Sequence, residues 1–293
     1  MVLSLMKKTV TNNEHKQRIN EVQYHIYKYL SMKLTIEDLA KISSYSAFHF
    51  QRIFKDITGK SVNTYIKDLR LHCAANLLVF NPKSTITNIA YDCGFKSSST
   101  FSNEFKKLYN CSPNEWRNGK YKDHKPTKYQ LKEKEVDFSK IEIKKIPEIK
   151  IAYMRQLGFD KTIKNGWQKF LFLLEKEFNI KEPTMMAIHH SNPNITSIEE
   201  YRYVACVDLQ NKKIEPKGDI GLCCIKGGLY ATIRFQGICE DALTLYQKIY
   251  YQWLPSSEFE AVESSASVLY YKNNYLDPND EFDMEFRVPI RYK

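Results

Sequence analysis

Gln51 and Arg52 stand side by side, with Phe48 three residues before Gln51 and Lys55 three residues after Arg52. On a helix these four positions share one face. They are residue types that read DNA: glutamine pairs bidentately with adenine, arginine with guanine, and an aromatic edge meets the thymine methyl. Lys55 adds charge for phosphate. Ser98, Ser99, Thr100, Ser102, Asn103 and Lys106 form a second polar face of short hydroxyls and one amide. That face suits phosphate contact and positioning more than base readout. Lys96 and Lys107 extend it, while Ser97 and Ser99 serve equally well as helix caps. No Ser-His-Asp or Cys-His arrangement is legible, so no catalytic residue is assigned. His189-His190 has no acid or cysteine nearby in sequence, and the seven cysteines include no C-x-x-C pair. No metal or cofactor is expected, and the thiols read as reduced and cytosolic.

Charge points the same way. Residues 1–120 carry 18 Lys and Arg against 9 Asp and Glu, whereas residues 141–293 carry 20 against 21. Of the whole chain's net +10, residues 1–120 thus hold +9, where a polyanion would be met. The longest apolar runs, such as Phe170–Leu174, are far short of a membrane span. No secretory signal precedes them, and a cytoplasmic, nucleoid-associated location is expected.

The elements that must hold these faces emerge from an internal repeat. At an offset of 50, Thr35-Ile36-x-x-Leu39-Ala40 lies over Thr85-Ile86-x-x-Ile89-Ala90, and Tyr45 over Phe95. After one inserted residue Phe50, Phe54 and Lys55 lie over Phe101, Phe105 and Lys106, then Ser61 over Ser112 and Tyr65 over Trp116. Each copy reads as two short helices and a tight turn. Thr35 opens the first helix, with Asp38 placed for a capping box. A second helix over 46–57 buries Phe50, Ile53, Phe54 and Ile57, and Gly59 ends it. In the other copy Thr85 opens a helix, Cys93-Gly94-Phe95 turns, and Ser97 opens a helix burying Phe101, Phe105 and Leu108. Ser112-Pro113-Asn114-Glu115 starts one more. A connecting helix spans 63–80, and an earlier one spans about 16–31.

Two helix-turn-helix units at this spacing resemble the AraC/XylS family over roughly residues 15–118. The carrying stretches are Tyr45-Ser46-x-Phe48-His49-Phe50-Gln51-Arg52-x-Phe54-Lys55 with Thr58-Gly59, and Gly94-Phe95-x-Ser97-x-Ser99-x-Phe101-Ser102-x-x-Phe105-Lys106. The resemblance implies that each second helix enters the major groove of double-stranded DNA, the two sites about 34 Å apart. It also implies base readers at 48, 51 and 52. The hydroxyl-rich second copy departs from the glutamine and arginine that family members often carry there.

Residues 120–139 are charged and polar and read as a linker between a DNA-binding domain over 1–119 and a second domain over 140–293. The second domain alternates strand and helix, with amphipathic helices over 162–178 and 239–253, and argues α+β. The chain as a whole is thus expected to be multidomain, all-α then α+β. The second half resembles the GyrI-like effector-binding family through Arg202-Tyr203-x-Ala205-Cys206, Gly227-Gly228-x-Tyr230-Ala231, Phe235-x-Gly237, Trp253-Leu254-Pro255-x-Ser257 and Phe286-Arg287-Val288-Pro289-Ile290. That family implies two helix-on-sheet halves with a ligand cleft between them, taking small aromatic or cationic effectors against aromatic walls and a carboxylate. Trp167, Tyr203, Tyr230, Trp253 and Tyr271 are the aromatic candidates, each also a reasonable core residue. Where the family has acids, this chain has Val204 and Leu269; Glu285, then Asp283, are the replacement candidates. The expected protein is not an enzyme but a ligand-responsive transcription regulator, with RNA polymerase a further partner. Two readings compete: a hydrolase using Glu285 with Tyr271 or Tyr203, and a constitutive DNA-binding protein whose second domain docks a protein.

Overall fold

The structure, a computed structural model, describes residues 2–124, 135–158, 162–192, 196, 201–262 and 264–293. The helical half comprises α1 (Val2–Lys28), α2 (Ile36–Ile42), α3 (Ala47–Thr58), α4 (Val62–Phe80), α5 (Ile86–Asp92), α6 (Ser98–Tyr109) and α7 (Pro113–Arg117). Its caps follow the sequence. Thr35, Ser46, Ser61, Thr85, Ser97 and Ser112 each accept the backbone N–H three residues on. Glu115 closes a full capping box with Ser112, whereas Asp38 takes the Thr35 hydroxyl instead of the backbone N–H. α1 starts well before residue 16, because no glycine or proline interrupts residues 2–31.

Each repeat has its own core. α1 contributes Ile19, Val22 and Ile26 to the first, against Leu39, Phe50, Phe54 and Leu69. The second gathers Leu78, Ile89, Phe101, Phe105 and Trp116. α4 belongs to both cores and is the spine joining them. Two expected core residues are outside: Ile57 is 36% exposed and Leu108 39%. Ile57, at the end of α3, borders the groove toward the second domain instead. In α6 the inward stripe continues to Tyr109, whose ring lies 4.6 Å from Phe105 and 4.5 Å from Trp116, so Leu108 faces out.

The second half is one continuous nine-stranded antiparallel sheet with helices on one face. Its strands are β1 (Glu142–Ile146), β2 (Ile149–Leu157), β3 (Met185–His189), β4 (Arg202–Asp208), β5 (Gly221–Ile225), β6 (Gly228–Gly237), β7 (Phe259–Ala261), β8 (Ala266–Lys272) and β9 (Phe282–Tyr292). The spatial order β1-β6-β9-β8-β3-β4-β2-β5 is a duplication. β2, helix α8 (Thr162–Phe178), β3 and β4 repeat as β6, helix α9 (Cys239–Lys248), β8 and β9, and the copies join where β3 pairs β8. α9 runs on through a π turn, Ile249–Trp253, into Leu254–Ser256. β3 and β7 are short, and His189 is the last residue of β3.

Alternation divides the sheet's side chains. Ala152, Met154, Tyr203, Ala205, Val268, Met284 and Phe286 pack under α8 and α9. Ile151, Tyr153, Met186, Ile188, Val204 and Cys206 point to the other face. That second face receives α1 and α4. Tyr153 Oη and Arg155 Nε donate to Asn20 on α1 and Arg202 Nη1 to His72 on α4, while beyond that face Asn192 Nδ2 donates to Asn76 and Phe80 of α4 stacks on Tyr250 of the π turn at 4.5 Å.

Candidate nucleic-acid interface and ligand cavities

α3 is fixed from beneath and open above. Phe50 and Phe54 are fully buried, and Gly59 stops the helix at φ 74°. His15 on α1 bonds the Tyr45 hydroxyl, and Arg18 lies over the Tyr45 ring, clamping the turn before α3 to α1. Phe48, Gln51, Arg52 and Lys55 all stand in solvent on one side, Phe48 with 81% of its surface exposed. An isolated ring that open has no packing role here. Ala47, the first residue of α3, is half-buried against the first core.

The corresponding face of α6 is quieter. Ser97 is its cap and also shares hydrogen bonds with Ser99 and Thr100, so three hydroxyls are partly engaged with one another. Ser98 and Ser102 are half-buried, while Ser99, Thr100, Asn103 and Lys106 are exposed. Lys107 is drawn into a bridge: Glu104 accepts from it at 2.7 Å and from Lys67 on α4 at 2.6 Å, and both lysines hold its carboxyl down at about 2.

In the second domain the named aromatics do not converge. Trp167 and Tyr203 are fully buried under α8, where Trp167 Nε1 donates to the Tyr203 hydroxyl at 2.9 Å and that hydroxyl lies 3.1 Å from Tyr270 Oη. Burial and the neighbouring Tyr270 push the Tyr203 phenol far above its ordinary value. Tyr230 is buried, donating to the Lys226 carbonyl. Tyr271 is exposed beneath Arg234, and Trp253, the last residue of the π turn, is half-buried with its ring stacked 6.3 Å from that of Phe259. Both carboxylate candidates are already neutralised. Glu285 accepts from Arg287 Nε at 2.6 Å and Lys144 Nζ at 3.2 Å; burial alone would raise its carboxyl, but these cations hold it below the usual range. Asp283 accepts two hydrogen bonds from Arg234 and one from Gln236.

A space of about 50 Å³ lies between α9 and the sheet, walled by His189, Tyr201, Tyr246, Tyr270, Tyr275 and Phe286 among others, with no acid in its lining. The larger spaces, of about 420, 510 and 260 Å³, open where the sheet meets the helical half: α1 lines all three and α4 the first two, while Tyr246 and Tyr250 also wall the first and Thr162, Asn165, Gly166 and Lys169 of α8 the second. Those volumes are in the range of small-molecule sites. Sequence reasoning missed Tyr270, because β8 was phased on Tyr271. It also missed Arg155, which lies in none of the motifs, and treated Arg202 only as part of a motif. No group of three or more candidate metal ligands occurs among the described residues.

Residues 39–119 match a family model described as a helix-turn-helix domain, and residues 139–291 match the GyrI-like small molecule binding domain. The chain is an AraC-type helix-turn-helix protein of the GyrI-like family. Within the first half it is 35% identical to the HTH-type regulator YkgA of Escherichia coli over 118 residues, 40% of this chain and 49% of that protein. It thus spans about half of that relative's length. It is similar to the Transposon Tn10 TetD protein of Escherichia coli (34% identity, 36% of this chain, 76% of that one) and to the regulatory protein SoxS of the same species (31%, 35% and 95%). A crystal structure of an AraC-type regulator from Chromobacterium violaceum superposes with a TM-score of 0.33 at 27% identity, covering 35% of this chain and 91% of that one.

Proposed function

We propose that this GyrI-like AraC-type protein is a sequence-specific, double-stranded-DNA-binding transcription regulator acting in the cytoplasm and answering to a small molecule. The exposed Phe48–Gln51–Arg52–Lys55 face carries the reading. A helix pinned by Phe50 and Phe54 presents an adenine reader, a guanine reader and an open ring together. α6 supplies the weaker contact, through Asn103 and Lys106 to the backbone. The first-half relatives named as regulators support the same role. Hydrolysis finds no support in the geometry. Tyr203 Oη is bonded to Trp167 and Tyr270 under α8, while Glu285 on the opposite face is held by Arg287 and Lys144.

The test is fluorescence anisotropy of the full chain across a salt series, on a duplex selected in vitro against a scrambled one. Salt-steep binding with at least a hundredfold preference for the selected duplex is expected. Equal affinity for both duplexes would remove the regulator reading.

A further inference from the structure

The sheet face that meets the helical half brings two arginines and a histidine close together. Arg155 lies opposite Val204 across β2 and β4, Leu157 lies opposite Arg202, and Ile188 on β3 pairs with Val204. Arg155, Arg202 and His190 therefore rise from one patch of one face. Arg155 Nε donates to Asn20 Oδ1 at 3.1 Å and Nη2 to the Tyr153 hydroxyl at 3.3 Å; its guanidinium lies 5.1 Å from the Tyr27 ring and 4.8 Å from the Tyr153 ring. Arg202 is buried, donates from Nη1 to His72 Nδ1 at 3.2 Å and lies over Tyr65. His190 stacks on Tyr27, with ring centroids 4.0 Å apart. Neither guanidinium has a carboxylate partner among the described residues, although Arg202 is buried and Arg155 half-buried, and buried charges are ordinarily paired. Each also offers five donors, more than the neutral partners named here use.

The cavities around this patch have the same sign. The 510 Å³ space is walled by Lys16, Arg155, Lys169 and Arg202 against one acid, Asp219, which already bonds both lysines. The 260 Å³ space has Lys28, Arg155 and Lys226 against Glu148. Tyr27 and His190 border these two spaces and the 420 Å³ one, so the three adjoin at the stacked pair. Flat rings flank both guanidiniums, which suits a flat apolar body, and a guanidinium fork matches a carboxylate bidentately.

We propose that this inter-domain junction binds an aromatic carboxylate, its acid group held by Arg155 and Arg202 and its ring lodged among Tyr27, Tyr65 and His190. The junction would also make the ligand felt by the DNA-binding half. Arg202 secures His72 on α4, the spine common to both helix-turn-helix cores, and a carboxylate that drew Arg202 away would release that hold. This coupling rests on the regulator reading above; the anion site itself does not.

The experiment is isothermal titration of the full chain with 2-naphthoate and with 2-naphthylmethylammonium at fixed ionic strength, with DNA binding measured on the same preparation. Saturable binding of one naphthoate, at least tenfold tighter than the ammonium, is expected. Arg155→Met and Arg202→Met should each weaken it at least tenfold, while Arg291→Met, at a surface arginine paired with Glu260, leaves it unchanged. Circular dichroism checks the variants' folding. If either fails to fold, the charge preference of the unaltered chain decides alone. The proposal is overturned by non-saturable naphthoate binding, by equal or tighter ammonium binding, by folded variants that keep full affinity, or by inorganic phosphate binding where naphthoate does not. Selective DNA binding without naphthoate binding would sink this site alone. Naphthoate binding without DNA selectivity would keep the site and sink the regulator reading.

Discussion

Replacing Gly94 with alanine should cost far more than the same change at Gly59, although both glycines have left-handed backbone. Gly59 closes α3 at φ 74° with nothing within 4 Å of where a Cβ would stand. Gly59→Ala then pays only for the conformation, about 1 kcal/mol, partly offset by a less flexible unfolded chain. Gly94 has φ 83°, and a Cβ there would lie 2.9 Å from Arg70 Cζ and Nε and 2.9 Å from the Leu30 carbonyl oxygen. None of these is a loose end. Arg70 donates to Leu30 O at 2.9 Å and to Met32 O at 2.7 Å, tying α4 to the chain leaving α1. The methyl group must displace that guanidinium, and losing charge-assisted hydrogen bonds adds roughly 1.5–3 kcal/mol. The expected total is about 2.5–4 kcal/mol. Unfolding of a two-domain chain need not be two-state, so native-state hydrogen exchange is the suitable assay. The buried amides of α4, shared by both repeats, should exchange roughly ten- to a hundredfold faster in Gly94→Ala than in Gly59→Ala, the factor following from about 1.4 kcal/mol per decade. Opening free energies within 0.5 kcal/mol of each other would refute the role given to Arg70.

Four further outcomes follow from the geometry. Arg52→Ala should cost about 1–3 kcal/mol on a selected duplex and relax preference at one base pair, whereas Lys106→Ala should weaken all duplexes alike and lower the salt slope by about 1; binding isotherms over a salt series separate the two. Tyr203→Phe leaves the buried Trp167 N–H without its acceptor and should cost about 1–3 kcal/mol in urea unfolding of the second domain. Tyr230→Phe, whose hydroxyl serves a part-buried carbonyl, should cost under about 1 kcal/mol in the same titration. Acid should loosen the domain junction: burial, then Arg202, Lys60 and His124, hold His72 at about 3, below its ordinary 6.5. The folded state then binds fewer protons than the unfolded one, so this contribution is complete above pH 6.5 and is lost as pH falls toward 3. It amounts to about 2 kcal/mol by pH 5. Limited proteolysis between pH 7.5 and 5 should show that loss, and His72→Gln should lessen it, the rest belonging to the buried His189 and His190, which burial also holds below their ordinary value.

The helical half was legible because its information is local. Caps, a glycine stop and an inward stripe lie within a dozen residues of one another, and the repeat states them twice. The misses there were at helix ends, where one residue decides the facing: Ile57 and Leu108 fit the stripe by count, but Tyr109 competes successfully for the space beside Trp116. In the sheet, short β3 and β7 carry too few residues to show a period. A one-residue phase error on β8 chose exposed Tyr271 over buried Tyr270, since stepping by one along a strand exchanges its faces.

The ligand cavities were illegible for a different reason. Arg155 pairs with Val204 across strands, Arg202 reaches His72 over 130 positions of sequence, and Asn20 meets Arg155 over 135. Those meetings depend on which sheet face the helical half covers, and no periodicity encodes that. The duplication nonetheless constrains it. α8 and α9 both lie on one face and bury Trp167, Phe170, Tyr203 and Tyr246 against it. The larger spaces open where the sheet meets α1 and α4. A ligand there contacts DNA-binding and sheet elements at once, so it needs no long chain of packed intermediaries to bias α4. Its differential affinity acts directly on the His72–Arg202 and Tyr27–His190 contacts, and the effect on DNA is bounded by how much binding differs when those contacts are made and broken.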